Sequence, residues 1–152
     1  TITGAATANA VTGGAGADNM TGGAAADVYT IGNTDSGITV ATADVITNFV
    51  TGADQLSLGV AGADIVNNAN TAENFDDAGA AVADFAAALA AANTSIATNL
   101  VAETTATTMY DYQFDATNGY LFEDNNLDGV ADSVIIFTGL GAAGIVATDI
   151  IV

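Results

Sequence analysis

The chain has 152 residues, 51% of them hydrophobic, and carries eighteen acids with no Lys, Arg, His or Cys, for a formal charge of −18. No Lys or Arg is present to neutralise phosphates, so nucleic acid is not an expected partner, and zinc sites built on His or Cys, thiol nucleophiles and Schiff-base amines are excluded. No apolar run approaches the roughly 18 residues of a membrane span, so no transmembrane segment is expected.

The first element is a repeat. Gly13-Gly14-Ala15-Gly16-Ala17-Asp18-Asn19-Met20-Thr21 is followed at once by Gly22-Gly23-Ala24-Ala25-Ala26-Asp27-Val28-Tyr29-Thr30. Residues 4–12 keep the register with Asn9 where the acid belongs, and Thr1-Ile2-Thr3 match the end of a further copy. The chain is therefore expected to begin inside a repeat array, with an open edge that an upstream segment or another subunit covers.

The repeat has a chemical reading. Calcium takes six to eight oxygens, mixing carboxylates with backbone carbonyls. Glycine lets a turn enter positive φ and aim successive carbonyls at one centre, and one acid per turn adds charge. The pattern predicts a short parallel β-roll with two repeats per coil, each turn stacked on the turn two further on. Gly13, Gly14, Gly16, Asp18, Gly22, Gly23 and Asp27 are the candidate ligands. Asp18 is expected to pair with an expanded turn after Tyr29 that holds Asn33 and Asp35. Asp27 is expected to pair with the segment around Asp44, with Asn48 nearby. The site between the Asn9 and Asp27 turns lacks one carboxylate and is expected to be weak or empty. At least two calcium ions follow.

Next, Asp44-Val45-Ile46-Thr47-Asn48-Phe49 and Gly52-Ala53-Asp54-Gln55-Leu56-Ser57-Leu58 read as strands closing the roll, with Asp54 a further candidate ligand. Between residues 71 and 93, Val82, Phe85 and Leu89 fall on one helical stripe. Asp76 and Asp77 stand near its N-terminus, where the helix dipole favours acids. This helix either docks a partner or packs on its own sheet. Tyr110-Asp111-Tyr112-Gln113-Phe114 and Gly119-Tyr120-Leu121-Phe122 suggest a hairpin turning at Asn118-Gly119. Val134 to Phe137 and Ile150 to Val152 suggest two more buried strands.

The stretch Asp124-Asn125-Asn126-Leu127-Asp128-Gly129-Val130-Ala131-Asp132 matches the start of an EF-hand loop, with Asp124, Asn126, Asp128, Val130 and Asp132 at ligand positions. Ile135 stands where a bidentate Glu belongs, so a site here needs Glu123 or Asp111; the alternative is an Asp/Asn-rich turn between strands. Paired acids such as Asp76 and Asp77, or Asp111 and Asp115, are the remaining basis for catalysis, and no enzyme activity is expected. Asp64, Glu73 and Glu103 fit no motif and are open to either role, holding metal or facing water.

Residues 13–30, 44–49 and 52–54 resemble the RTX calcium-binding region of serralysin-type proteases and of other proteins exported by type I secretion, surface-layer proteins among them. The likeness is close over the first 58 residues and looser through residues 119–122, the 124–132 loop and Asp149-Ile150-Ile151-Val152, which is similar to the family's uncleaved secretion signal. The resemblance implies a chain that crosses the envelope unfolded and folds outside in millimolar calcium. Asn9, Ala25, Asn48 and Gln55 depart from the family pattern, and no zinc-protease motif is present.

The expectation is a mainly β chain: a calcium-binding roll with closing strands over 1–58, and a helix with further strands over 59–152, forming one unit. Its expected role is a calcium-stabilised extracellular or cell-surface structural protein, a subunit of a surface layer or filament. Partners would be further copies bound through the open roll edge, and the type I secretion machinery. The alternative is the C-terminal secretion and folding module of a larger exported enzyme or adhesin.

Overall fold

Apolar triplets separated by glycine-rich turns make strands too short to stand alone, so each must find partners far along the chain. The computed structural model describes residues 1–63, 65, 73–77, 79–101 and 106–152. Asp64, Glu103 and the start of the predicted helical segment at residue 71 lie outside the described residues.

Six short strands come first: β1 (Ile2–Thr3), β2 (Ala10–Thr12), β3 (Asn19–Thr21), β4 (Val28–Thr30), β5 (Asp44–Thr47) and β6 (Gln55–Ser57). After β7 (Phe75–Asp77) come the helix α1 (Phe85–Leu100), β8 (Met109–Phe114), β9 (Asn118–Asp124), β10 (Ser133–Thr138) and β11 (Ile150–Ile151). The chain is mainly β, as expected.

The first six strands alternate between two sheets, and β7 to β10 all join the larger one. The larger has the order β1-β3-β5-β10-β9-β8-β7 and the other β11-β6-β4-β2. Among the first six, every pairing is parallel and joins a strand to the one two places on. Late segments extend both sheets: β10 runs parallel to β5 and β11 parallel to β6. Residues 133–151 are thus built into the same sheets as the repeats.

The middle residue of each triplet is buried. Met20, Tyr29, Ile46 and Leu56 are fully enclosed with Ile135, Phe137 and Ile150 between the sheets. Each such side chain contributes roughly 1.5–3 kcal/mol on leaving water. Phe49 packs edge-on against Phe137 at 5.2 Å between ring centroids, pinning the turn after β5 to β10. The other face of the larger sheet lies under α1, where Ala88, Ala92 and Ile96 meet Met109, Tyr120, Phe122, Val134 and Ile136. Strands β8, β9 and β10 are therefore covered on both sides and read as near-continuous apolar runs.

Three expectations need correction. Asp76 and Asp77 belong to β7 rather than to a helix start; Asp84 begins α1 instead, its carboxylate accepting the Ala87 N–H at 2.9 Å. Beyond residue 93 the helix continues to Leu100 because Ile96 and Asn99 still face the sheet. In the hairpin, Asn118 and Gly119 lie within β9, and residues 115–117 make the turn. Asp115 Oδ1 accepts the N–H groups of Thr117 and Asn118, a side-chain-closed turn that needs no positive φ. Gly119 is required for a different reason: a Cβ there would strike the Tyr112 hydroxyl.

Candidate metal centre

Because the first six strands alternate between sheets, the turns fall into two columns. One holds residues 4–9, 22–27, 48–54 and 139–149; the other holds 13–18 and 31–43, with the 124–132 loop leading into β10. An acid or amide closes nearly every turn: Asn9, Asp27, Asp54 and Asp149 in the first column, Asp18, Asp44 and Asp132 in the second.

In the first column these groups form a ladder. Asp27 Oδ1 accepts the Asn9 backbone N–H and the Asn9 amide, both at 2.8 Å. The Asp27 N–H donates to Asp54 Oδ1 at 2.9 Å. Asp54 Oδ2 accepts the Val50 N–H, and Asp149 accepts Thr51 Oγ1 at 2.6 Å and the Gly52 N–H at 2.8 Å. Asp27 is 1% exposed, and its Oδ2 has no hydrogen-bond partner. That oxygen rests against Gly22, where a Cβ would collide with it, and the Gly22 N–H donates to the Tyr29 hydroxyl at 2.8 Å. Burial pushes the Tyr29 phenol up to about 12.

The second column repeats the device. Asp44 Oδ1 accepts the Asp18 N–H at 2.8 Å, and the Gly16 N–H donates to the Asp35 carbonyl at 3.0 Å. Ser36 Oγ accepts the Asp44 N–H and donates to the Val134 carbonyl, tying the expanded turn to β10. Asp44 is fully buried, and its Oδ2 also lacks a partner. Burial raises the Asp44 carboxyl, the Asp18 N–H opposes this, and the Asp18 and Asp35 charges raise it further. The glycines serve differently in the two nonapeptides. Gly14 and Gly16 turn at positive φ, whereas Gly22 and Gly23 keep ordinary φ and give room for neighbouring oxygens. Ala25, aligned with Gly16, is accommodated because its turn makes no use of positive φ.

The turn of Asp18 stacks on the expanded turn through the Gly16 N–H and the Asp35 carbonyl, while Asp18 itself donates to Asp44 and Asp27 donates to Asp54 rather than to Asp44. Residues 31–43 form one long connection, so Asp44 closes the turn stacked on Asp18, and Asp27 meets Asp54. Asn48, at φ 64, opens the turn that stacks on Asp27. Asn33 lines a cleft of about 360 Å³ with Ser36, Asn126 and Asp132, bringing the expanded turn and the 124–132 loop together.

Within that loop the oxygens already face donors. Asp124 accepts the N–H groups of Leu127 and Gly129, Asp128 that of Val130, and Asp132 those of Asn125 and Asn126. Glu123 is adjacent and buried, hydrogen-bonded to Ser133. Asp111 is engaged elsewhere: its partner across the sheet is Asp76. Of the proposed acid pairs, Asp76 and Asp77 are consecutive strand residues facing opposite ways. Asp115 closes the hairpin turn.

Sequence reading passed over Ser36 and the ligand-like placing of Asp149. An acid directly before a short apolar strand was the available signal for Asp149. No protein-family model matches the chain, and no curated protein matches its sequence. Among the described residues no helix is long and apolar enough to cross a membrane.

Proposed function

We propose that this chain is a calcium-stabilised extracellular structural protein, a subunit of a surface layer or filament exported by type I secretion, and that its alternating strands are an RTX-type β-roll. The supporting observation is the pair of orphaned carboxylate oxygens, Asp27 Oδ2 and Asp44 Oδ2, one in each turn column. A buried carboxylate with an unmet oxygen and no basic residue in the chain calls for a cation. The residues fit calcium: acids, glycine carbonyls and a cradle at Gly22 that a Cβ would fill. Bound calcium would supply the charge that a −18 chain lacks, and its binding energy would be folding energy. Asp27 and Asp54 would serve one turn column, and Asp18 and Asp44 the other. Between turns 4–9 and 22–27 the Asn9 amide already donates to Asp27, doing what an ion would do there.

The assembly part of the reading rests on β1 and β2, which form the outer edges of the two sheets and present unpaired backbone groups. The reading as a secretion and folding module of a larger exported enzyme or adhesin draws on the likeness of Asp149-Ile150-Ile151-Val152 to a type I secretion signal; here Asp149 accepts the Gly52 N–H and β11 pairs with β6. A calcium titration followed by circular dichroism and light scattering separates the two. Folding together with growth into large, chelator-reversible particles supports the structural subunit. Folding to a monomer favours the module, and no response to calcium overturns both.

A further inference from the structure

A third orphaned oxygen lies away from the turns. Asp111, in the middle of β8, is 1% exposed on the face covered by α1, and its Oδ2 has no partner. Its neighbour across the parallel pairing is Asp76 of β7, so two carboxylates share one row of the sheet. Like charges so placed repel. The helix answers only one of them: Ser95 Oγ donates to Asp76 Oδ2 at 2.6 Å and Asn99 Nδ2 to the same oxygen at 2.8 Å. Ser95 is near enough to favour the ionised form of Asp111, yet its proton goes to Asp76. Asp111 receives only the Gln113 amide, at 2.6 Å on Oδ1.

This is a built polar site within an otherwise apolar interface. The buried stripe of α1 runs Ala88, Ala92, Ile96 and then turns polar at Asn99, directly above these acids. Burial pushes the Asp111 carboxyl up to about 6, the Ser95 and Gln113 side chains oppose this, and the Asp76 and Asp77 charges add to it. Among the described residues no three acids converge on one point, so the group is of the two-carboxylate kind, completed by neutral oxygens.

We propose that Asp76 and Asp111, with Ser95, Asn99 and Gln113, form a calcium site between α1 and the sheet, separate from the turn columns. The two carboxylates offer four oxygens and the three neutral side chains one each, within the six to eight that calcium takes. Turning the Asn99 and Gln113 amides over presents their oxygens in place of their N–H groups. Magnesium suits the place poorly, because it keeps its waters and demands octahedral geometry.

The test counts calcium bound per full-length chain by equilibrium dialysis at saturating calcium, with folding checked by circular dichroism. Asp111→Asn and Asp76→Asn are each expected to lose one ion while Asp27→Asn loses a different one, so that the Asp27→Asn/Asp111→Asn pair loses two. An unchanged count in folded Asp111→Asn overturns the proposal. Should both carboxylate variants fail to fold, Gln113→Ala retains both acids; it is expected to weaken one ion roughly tenfold, and unchanged affinity for every ion overturns the site. Loss at Asp111 without loss at Asp27 or Asp44 would refute the turn sites and leave this one standing.

Discussion

At the residue scale the informative atoms are those left without partners. Asp27 and Asp44 each spend one oxygen on a backbone N–H and keep the other buried and unmet. Asn9 shows the alternative, since its amide donates directly to Asp27. Asp44→Asn should therefore raise the calcium needed for half-folding by at least roughly tenfold, read by circular dichroism during titration. Gly22→Ala should destabilise the calcium-loaded chain by about 1–3 kcal/mol, because the new methyl group displaces Asp27 Oδ2; denaturant midpoints check this. The tyrosines give a pH test. Burial raises Tyr29 to about 12 and also raises Tyr110, Tyr112 and Tyr120. A phenol whose folded pKa lies above its unfolded value near 10 stabilises the fold fully below pH 10 and less as pH climbs through the folded values. Ultraviolet titration should place the phenolate steps of the folded chain at higher pH than those of the denatured chain, where all four tyrosines titrate near 10.

At the scale of elements, the triplet strands were legible because one inward side chain every nine residues leaves little ambiguity. Met20 and Tyr29 are buried as their spacing implies. The pairing of Asp27 was misread because the 31–43 connection replaces one glycine turn without keeping its length, and a count in ninefold steps slips there. The helix was legible in existence and not in extent. Ala-rich sequence is helical everywhere by propensity, so the Asp84 cap and the late contacts of Ile96 and Asn99 decide its ends. Asp84→Ala should cost about 1 kcal/mol in calcium by chemical denaturation. The hairpin was misplaced because Asn-Gly is a strong turn signal, while the room Gly119 leaves for the Tyr112 hydroxyl is a contact across strands that no local pattern records. The Asp76–Asp111 pair was hidden for the same reason, since only the register of β7 on β8 brings the two acids side by side.

At the scale of the molecule, repeats and later segments share their sheets, because β10 and β11 continue the stacks begun by β5 and β6. Tyr29 reports the repeat region and Tyr110 the larger sheet, so unfolding in calcium should follow one curve whether read by tyrosine absorbance or by far-ultraviolet dichroism. Two separated transitions would show that the halves stand independently. The joins that unite them span long loops: Ser36 reaches Val134 across 98 residues, and Thr51 reaches Asp149 across the same number. A ribosome delivers roughly 5–20 residues each second, so the glycine turns wait several seconds before their last neighbours exist. Throughout that interval the nascent polypeptide has no finished template on which to settle. The turns of β5 therefore gain their bonds to Val134 and Asp149 only after β10 and the residues before β11 have been made.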